Sequence, residues 1–289
     1  MIPDLSASKV AGFVGLHKYQ NPDEIRYELL ARDPIGKQRI NELQSKYDRS
    51  SYSKLVQEIL RDTAIKDCIS VGLQAAQATT NVTRVLEDVQ CQASAVLALR
   101  HDSLPTELRG RLADEVRGAV SKQRGLVNED KILNTYEAAR EVKVTERNTK
   151  MVKKDCGTYR LVGRCDGYVA SQNRIVDSKD RTRKWPTVPL YDEIQLRCYM
   201  QMYNASESEL IERFPDGTTR HTLFTNDAEK WATIHDLIER GVAALNLAVE
   251  DEEELKRIVF ANTVEMHNER TDVHNASSGM GVSRASADL

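Results

Sequence analysis

Apolar residues recur at helical spacing over much of the first half of the chain. Residues 6–16 and 24–31 predict two short helices separated by an Asn-Pro turn, with Asp23 as a candidate cap for the second. Residues 35–122 are rich in Ala, Gln, Leu, Glu, Lys and Arg and carry few strand signals. We interpret them as a helical segment of several elements, whose simplest role is packing or interaction.

The pattern changes in the second half. Residues 129–140 predict a helix with an apolar stripe, and 159–170 and 174–179 predict two short strands around a polar turn. Residues 190–203 and 227–247 predict two further helices. The predicted organisation is an N-terminal part of the core (1–34), a helical insertion (35–122), the main core (123–263) and a disordered tail (264–289).

Composition narrows the possible functions. The chain has 289 residues, a formal net charge of −3 and five cysteines. A nucleic-acid site would therefore have to be a local basic groove on a near-neutral body. The odd cysteine count and the lack of CxxC spacing argue against a disulfide framework, a zinc site and an iron–sulfur cluster. Without a signal pattern or an apolar span, we expect a soluble protein of the cytosol or nucleus, with no membrane partner.

Two carboxylates and a lysine form the strongest candidate site. Asp177 and Lys179 are two residues apart, so on a strand they share one face. Asp166 and Asp177 are symmetric about the polar turn, so a simple hairpin register places them opposite each other, with Cβ atoms about 4.5–5.5 Å apart. Such a pair repels unless a cation lies between the two carboxylates. Oxygen ligands favour Mg²⁺ or Mn²⁺.

A metal held in this way suits phosphodiester hydrolysis. It lowers the pKa of a bound water and neutralises charge on phosphate oxygens, while Lys179 orients or activates the water or stabilises the pentavalent centre. The alternative is a surface hairpin with an ordinary Asp–Lys pair, because D-x-K by itself is a common pattern.

Three further residues fit the same site. Glu129 lies at the start of the predicted 129–140 helix and on its apolar side, where it either reaches the metal or favourably occupies a helix N-terminus. Gln195 and Tyr199 are four residues apart on the 190–203 helix and point the same way. They either orient the water and contact a phosphate or are ordinary polar surface residues.

The order of these motifs resembles the lambda-exonuclease or YqaJ-type branch of the PD-(D/E)XK nucleases. The similarity covers roughly 1–34 and 123–215, and it is strongest to variants carried by large DNA viruses of eukaryotes. It rests on the segments SASKVAGFVGLHKY, RGLVNEDKILNTYE, GRCDGY, IVDSKD and YDEIQLRCYMQMY. The resemblance implies an α/β fold, with a central mixed β-sheet flanked by helices in a restriction-endonuclease-like core.

The resemblance also implies an activity and a set of roles. The chain would be a Mg²⁺- or Mn²⁺-dependent deoxyribonuclease, an exonuclease of viral or phage-like replication and recombination. Asp166 and Asp177 would bind the metal, Glu129 would be a further ligand directly or through water, and Lys179 would activate the water. Candidate phosphate contacts are Ser6, Ser8, Lys18, Arg181, Arg183 and Lys184. The partner is DNA, and the family pattern allows a homo-oligomer and a recombination or single-strand-binding partner.

Four departures from the family pattern qualify this expectation. Position 177 is Asp where Glu is more usual, and Asp reaches one methylene less far. Only Met1 to Leu5 precede the S-A-S motif, where the family's exonucleases have a phosphate-binding Arg upstream, so we do not expect their recognition of a 5′ end to carry over. The 35–122 insertion is long, and the clustered cysteines of iron–sulfur members are absent. The competing hypotheses are a non-catalytic DNA-binding or assembly protein on a nuclease scaffold, and a helical scaffold protein whose function lies in 35–122.

Overall fold

A computed structural model describes residues 1–265 as a mixed α/β protein. Its strands are β1 Asp4–Ser6, β2 Arg49–Ser51, β3 Val152–Asp155, β4 Arg160–Gly163, β5 Gly167–Val169, β6 Arg174–Asp180, β7 Glu207–Arg213, β8 Thr219–Thr225 and β9 Thr263–Glu265. Its helices are α1 Val10–Phe13, α2 Pro22–Leu30, α3 Pro34–Lys46, α4 Tyr52–Ile59, α5 Thr63–Gln77, α6 Val82–Arg100, α7 Thr106–Arg140, α8 Leu190–Tyr203, α9 Ala228–Ala248 and α10 Glu252–Ala261.

A four-stranded sheet in the order β5-β6-β7-β8 lies at the centre of the fold. β6 and β7 run parallel and are joined through α8, while the two outer pairs are antiparallel. β6 and β7 are buried along most of their length, as expected for strands covered on both faces. β8 alternates between exposed and half-buried residues. The predicted class, a central mixed β-sheet flanked by helices, is confirmed.

A second, three-stranded sheet has the order β1-β4-β3, with β1 parallel to β4. β2 and β9 form a separate antiparallel pair. The main hydrophobic core joins α1, α2, α8, α9 and α10 to the strands. A second core lies within the helical segment, between α5, α6 and the first half of α7.

Polar caps define where several of the helices begin. Asn21 and Asp33 accept hydrogen bonds from the first turns of α2 and α3, and each is followed by a proline at the first helical position. Asp227 and Asp251 cap α9 and α10 in the same way. The prediction that Asp23 caps the second helix is wrong, because Asn21 does so and Asp23 instead forms ion pairs with Arg26 and Arg257.

Several predicted elements have different bounds. The helix predicted over 6–16 contains only a 3-10 turn and α1, and it ends before Gly15, whose φ of +77° is left-handed. The strand predicted over 159–170 is two strands in different sheets, because the chain leaves β4 at Arg164 and re-enters the central sheet at Gly167. The helices predicted over 190–203 and 227–247 are confirmed as α8 and α9.

The boundary predicted between 122 and 123 falls inside α7, which is continuous from Thr106 to Arg140. Residues 264 and 265 of the predicted tail belong to β9, and the remainder of that tail lies outside the described residues. All five cysteines are free thiols. None of the helices within residues 1–265 combines the length and apolarity that a membrane span requires.

Candidate active site

The β5–β6 hairpin brings Asp166 and Asp177 together. Gly167 pairs with Val176, so the next positions outward, Asp166 and Asp177, lie opposite each other, which confirms the predicted register. Asn173 turns the chain with a left-handed φ of +46°, and its side chain accepts a hydrogen bond from the Tyr168 hydroxyl. The turn and the register therefore place both carboxylates at one end of the hairpin.

Each carboxylate is held by a different neighbour. Asp166 Oδ2 accepts hydrogen bonds from the Ser178 backbone N–H at 2.8 Å and from the Ser178 hydroxyl at 3.2 Å. Asp177 is buried, and its Oδ1 accepts a hydrogen bond from Gln195 Nε2 at 3.2 Å. These contacts fix one oxygen of each acid and leave the other oxygen of each for another partner.

Lys179 forms the ion pair that its spacing from Asp177 predicts. Its Nζ lies 2.7 Å from Asp177 Oδ2, which makes this contact an ion pair. Among residues 1–265, this buried Asp177 oxygen therefore has a nearby positive charge and no hydrogen-bond donor. A buried carboxylate oxygen without a donor is costly unless it binds another group.

The electrostatics of the site reflect its burial. Burial raises the pKa of Asp177 to about 7, and the charge of Asp166 adds to the increase. Burial likewise raises the pKa of Asp166. Burial by itself would lower the pKa of Lys179, but the charges of Asp177, Asp166 and Asp192 outweigh it and raise that pKa. Two acids share one ammonium, so a further positive charge would stabilise the cluster.

Glu129 approaches the same cluster from α7. The prediction that it begins a helix is wrong, because α7 starts at Thr106, and a role at a helix N-terminus is thereby excluded. Glu129 Oε1 accepts a hydrogen bond from Asn148. Burial raises the pKa of Glu129, and the charge of Asp177 contributes to that increase, so the two carboxylates lie within electrostatic range of each other.

Gln195 and Tyr199 lie on the face of α8 that covers the acids. Gln195 contacts Asp177 directly, as described above. Tyr199 is 5% exposed, and its pKa is raised by burial and then by the charges of Asp177 and Asp166. It also packs closely over Gly163, where a β-carbon would lie 3.0 Å from its ring. Neither residue is an ordinary surface polar group.

The predicted phosphate contacts separate into different environments. Ser6 and Ser8 hydrogen-bond to each other at 3.0 Å on the turn that packs against α8. Lys18 and Arg183 are exposed and both lie over the ring of Trp185, whereas Lys184 lies over Phe214. Arg181 is different: its side chain is only 10% exposed and pairs with Asp192 and Glu212, so it is not available to a phosphate.

The donor set fits a hard divalent cation. No group of three or more His, Cys, Asp or Glu residues within 1–265 is arranged to hold a metal. Asp166 and Asp177 therefore form a two-carboxylate set, with Glu129 in electrostatic range. Mg²⁺ is commonly held by one or two carboxylates and keeps several waters. The Asp177 oxygen that lacks a donor is the atom that such an ion would satisfy.

Sequence reasoning did not identify several residues that surround the site. Ser178, which holds Asp166, and Asn148, which holds Glu129, gave no distinctive signal. Tyr19 and Trp185 did carry a signal in the sequence, because each follows a basic residue, in the segments HKY and RTRKW. Interleaved basic and aromatic residues are typical of nucleic-acid surfaces.

Comparisons with known proteins give only a distant structural likeness. No model of a known protein family matches the chain, and no curated protein matches it. Among solved structures, an alkaline exonuclease from Laribacter hongkongensis is similar at a TM-score of 0.39 and 13% identity, covering 64% of this chain and 94% of that chain. A phage-related exonuclease from Haemophilus somnus 129PT is similar at a TM-score of 0.34 and 15% sequence identity, and the match covers 49% of this chain and 73% of that chain. At these values the likeness establishes neither a shared activity nor a shared substrate.

Proposed function

We propose that this protein is a metal-dependent nuclease that hydrolyses DNA phosphodiester bonds. The observation that carries the proposal is the convergence of Asp166, Asp177 and Lys179 at one end of the β5–β6 hairpin. The sequence resemblance to the lambda-exonuclease or YqaJ-type nucleases supplies the finer proposal, an exonuclease of viral or phage-like recombination that uses Mg²⁺ or Mn²⁺.

Asp166 and Asp177 would hold the metal through the carboxylate oxygens to which Ser178 and Gln195 do not donate. When bound, the ion would lower the pKa of a water and offset negative charge on the phosphate. Ser178 and Gln195 keep the two carboxylates in place, because each donates to one carboxylate oxygen and leaves the second oxygen available. Glu129 would be a further ligand, either directly or through a water.

Lys179 would act on the phosphate and the attacking water. Its ammonium lies 2.7 Å from Asp177 and is 25% exposed, so it reaches the edge of the site while staying paired. From there it can hold the water by a hydrogen bond and donate to the phosphate oxygens that gain charge as the bond to water forms. Tyr199 packs behind the carboxylates and limits the access of bulk water from the α8 side.

The competing hypothesis is a catalytically inactive protein that keeps the nuclease fold and serves in DNA binding or assembly. The buried Asp166–Asp177 pair argues against it. Two like charges that share a buried site destabilise a protein unless a ligand compensates for them, and an inactive scaffold gains nothing from keeping them.

The test is digestion of end-labelled linear DNA by the full-length protein in Mg²⁺, in Mn²⁺ and in EDTA. We expect digestion with either metal, none in EDTA, and none with the Asp177→Asn variant. Closed circular DNA, compared with the same DNA after linearisation, distinguishes exonuclease from endonuclease action. A folded wild-type protein that leaves all of these substrates intact, or an Asp177→Asn variant that cuts as well as wild type, would disprove the proposal.

A further inference from the structure

A cluster of basic and aromatic side chains forms where Lys18 and Tyr19 meet Arg183 and Trp185, which closely follow β6, the strand of Asp177 and Lys179. Trp185 is at its centre, with Lys18 Nζ 4.9 Å from the ring centroid and the Arg183 guanidinium carbon 4.2 Å from it. Tyr19 meets the same indole edge-on, with ring centroids 6.5 Å apart, and Lys18 also lies over Tyr19 at 4.7 Å. We call Lys18, Tyr19, Arg183 and Trp185 the basic–aromatic cluster.

The two cations of this cluster lack acidic partners. Within residues 1–265, neither Lys18 nor Arg183 forms an ion pair, although the neighbouring Arg181 and Arg220 are each paired with carboxylates. Two like charges held over one indole ring repel each other, and the attraction of each cation to an exposed ring is weak. An anion between or beside them would stabilise this arrangement.

The rings themselves are accessible to a ligand. Tyr19 is 58% exposed, and Trp185 is half-buried. Tyr19 and Trp185 form one wall of a pocket of about 380 Å³, a size typical of ligand sites. The helical segment also lines this pocket, through Thr83, Leu86 and Glu87 of α6 and Arg117 and Ser121 of α7. The segment therefore helps to form the pocket.

The cluster is connected to the candidate active site through α8. His17, next to Lys18, stacks on Tyr191 with centroids 4.1 Å apart. The pKa of Tyr191 is raised by burial and by Asp192, and it also responds to the charges of Tyr19 and Lys179, so Tyr191 lies within electrostatic range of both sites. Tyr191 therefore links the residue next to Lys18 to the surroundings of Lys179.

We propose that the basic–aromatic cluster binds single-stranded DNA, with an unpaired base stacked on Trp185 or Tyr19 and Lys18 and Arg183 on the adjoining phosphates. This proposal rests on the proposed nuclease function, because it assigns the substrate strand to a path beside the carboxylates. Unpaired bases stack on exposed aromatic rings irrespective of sequence, and basic residues follow the backbone. A paired base in a duplex does not offer its face, so the cluster favours a strand that has already separated.

The experiment measures binding in EDTA, where no cleavage is expected. A Trp231→Phe background leaves Trp185 as the single tryptophan of the chain, and its fluorescence is titrated with a 12-nucleotide oligo(dT) and with an abasic 12-mer of equal charge. We expect quenching by oligo(dT), weaker binding of the abasic strand and little quenching by it. In this background, binding by Trp185→Phe and Trp185→Ala is followed by the anisotropy of labelled oligo(dT).

Stacking of one base is worth about 1–3 kcal/mol, so Trp185→Ala should weaken oligo(dT) binding roughly 5-fold or more, and Trp185→Phe should retain most of it. Lys18→Ala and Arg183→Ala should each reduce the log–log salt slope by about 0.7. Lys37→Ala, an exposed lysine of α3 that does not line the pocket, is the matched charge control and should leave the slope unchanged.

The outcomes separate this inference from the proposed function. Equal binding of abasic and oligo(dT) strands, or a folded Trp185→Ala variant that binds like its parent, would overturn the stacking role even if the protein digests DNA. Tight, Trp185-dependent binding by a protein that never cleaves DNA would uphold the cluster and overturn the nuclease proposal. Circular dichroism confirms that each variant is folded.

Discussion

At the scale of single residues, the candidate site is dominated by an imbalance of charge. Asp166 and Asp177 face each other, and Lys179 contributes one positive charge to the pair. Each residue therefore has two effects that a variant can separate. Its charge affects the stability of the metal-free protein, and its contacts affect metal binding or the rate of cleavage.

Replacement of Asp166 by Asn should stabilise the metal-free protein. The amide oxygen can still accept the two hydrogen bonds from Ser178, while the repulsion between the carboxylates disappears. In EDTA at pH 8 we expect a gain on the order of 1 kcal/mol in the free energy of unfolding. This corresponds to an increase of roughly 2 °C or more in Tm, which thermal denaturation followed by circular dichroism would measure.

The same variant should bind metal poorly. Calorimetric titration with Mn²⁺ should show at least a ~10-fold loss of affinity, because even outer partners of metal ligands contribute that much. Asp236→Asn, which removes a carboxylate from a surface ion pair, is the control and should change neither Tm in EDTA nor Mn²⁺ affinity. Equal Mn²⁺ binding by wild type and Asp166→Asn would remove Asp166 from the site.

Lys179 is the residue for which catalytic and structural roles predict different results. If it acts on the water or the phosphate, Lys179→Ala should fold, bind DNA and lose at least ~10²-fold in cleavage rate, as when one transition-state stabiliser is removed. Lys179→Arg should cleave DNA little faster than Lys179→Ala, because a planar guanidinium does not replace a compact ammonium. Single-turnover cleavage in saturating Mg²⁺ measures the effect.

Lys153→Ala is the matched control, because it also removes a lysine from a Lys–Asp ion pair, but one on the surface with Asp4. Its cleavage rate should equal that of wild type. A folded Lys179→Ala variant that cuts DNA at a near wild-type rate would rule out the proposed role of Lys179.

At the scale of secondary-structure elements, β7 carries two buried acids that join the sheet to its neighbours. Glu212 pairs with Arg181 at 2.8 Å and with Arg220 at 2.6 Å. Glu209 accepts a hydrogen bond from Tyr136 of α7 at 2.7 Å and pairs with Arg174 of β6 at 2.9 Å. Buried ion pairs contribute little net stability when intact, but the loss of one partner leaves an uncompensated buried charge.

Glu209→Gln should therefore destabilise the protein by about 1.5–3 kcal/mol at neutral pH, because Arg174 loses its charged bond to Glu209 but stays paired with Glu207. Burial would raise the pKa of Glu209, but hydrogen bonds from Tyr136 and His221 and the charge of Arg174 outweigh it and lower that pKa below 4.5. The stabilisation by Glu209 is present above the unfolded-state pKa and is lost as pH falls through the folded-state pKa.

Urea denaturation of wild type and Glu209→Gln from pH 7 to pH 3 tests this dependence. The difference in unfolding free energy should be largest near neutral pH and should become smaller below pH 4.5. Glu229→Gln, an exposed acid in the first turn of α9, is the control and should have a small effect. A difference between wild type and Glu209→Gln that stays constant over the whole range would contradict the ion-pair explanation.

At the scale of the whole molecule, α7 connects the helical segment to the central sheet. Its first half packs in the core of that segment, and its second half packs against β6 and β7 through Ile132, Leu133 and Tyr136. Arg124 lies between the two halves and is 4% exposed. It pairs with Asp180 of β6 at 2.8 Å and donates to the Ala76 carbonyl of α5 at 3.2 Å, so one side chain contacts both parts of the protein.

Arg124→Ala should lower the free energy of unfolding by about 3 kcal/mol, because Asp180 loses a buried partner and the Ala76 carbonyl loses a donor. Arg109→Ala is the control and should cost less, because within residues 1–265 this half-buried arginine of the same helix bonds only to the nearby Asp102 carbonyl and Thr106 hydroxyl and to no part of the sheet. Urea denaturation, with separate probes for the helical segment and the sheet, would measure the effect. A wild-type-like stability of Arg124→Ala would show that the two parts do not depend on this contact.

The sequence alone determined the local geometry of the site. The symmetric placement of Asp166 and Asp177 about a polar turn predicted the hairpin register, and the i, i+4 spacing of Gln195 and Tyr199 predicted their shared face on α8. These features depend on the periodicity of a strand or a helix and on the geometry of one turn. Residues close in sequence specify the periodicity and the turn.

Only the tertiary structure decided which distant residues meet. Glu129 resembles a helix start in sequence, because Gly125, Val127 and Asn128 before it are weak helix formers, but α7 extends through it and packs in a hydrophobic core on either side. Arg181 and Arg183 look equivalent in sequence, yet one is buried between Asp192 and Glu212 while the other lies exposed over Trp185 beside Lys18. Periodicity specifies which residues share a face, whereas the partner of a long charged side chain depends on how separate elements pack against one another.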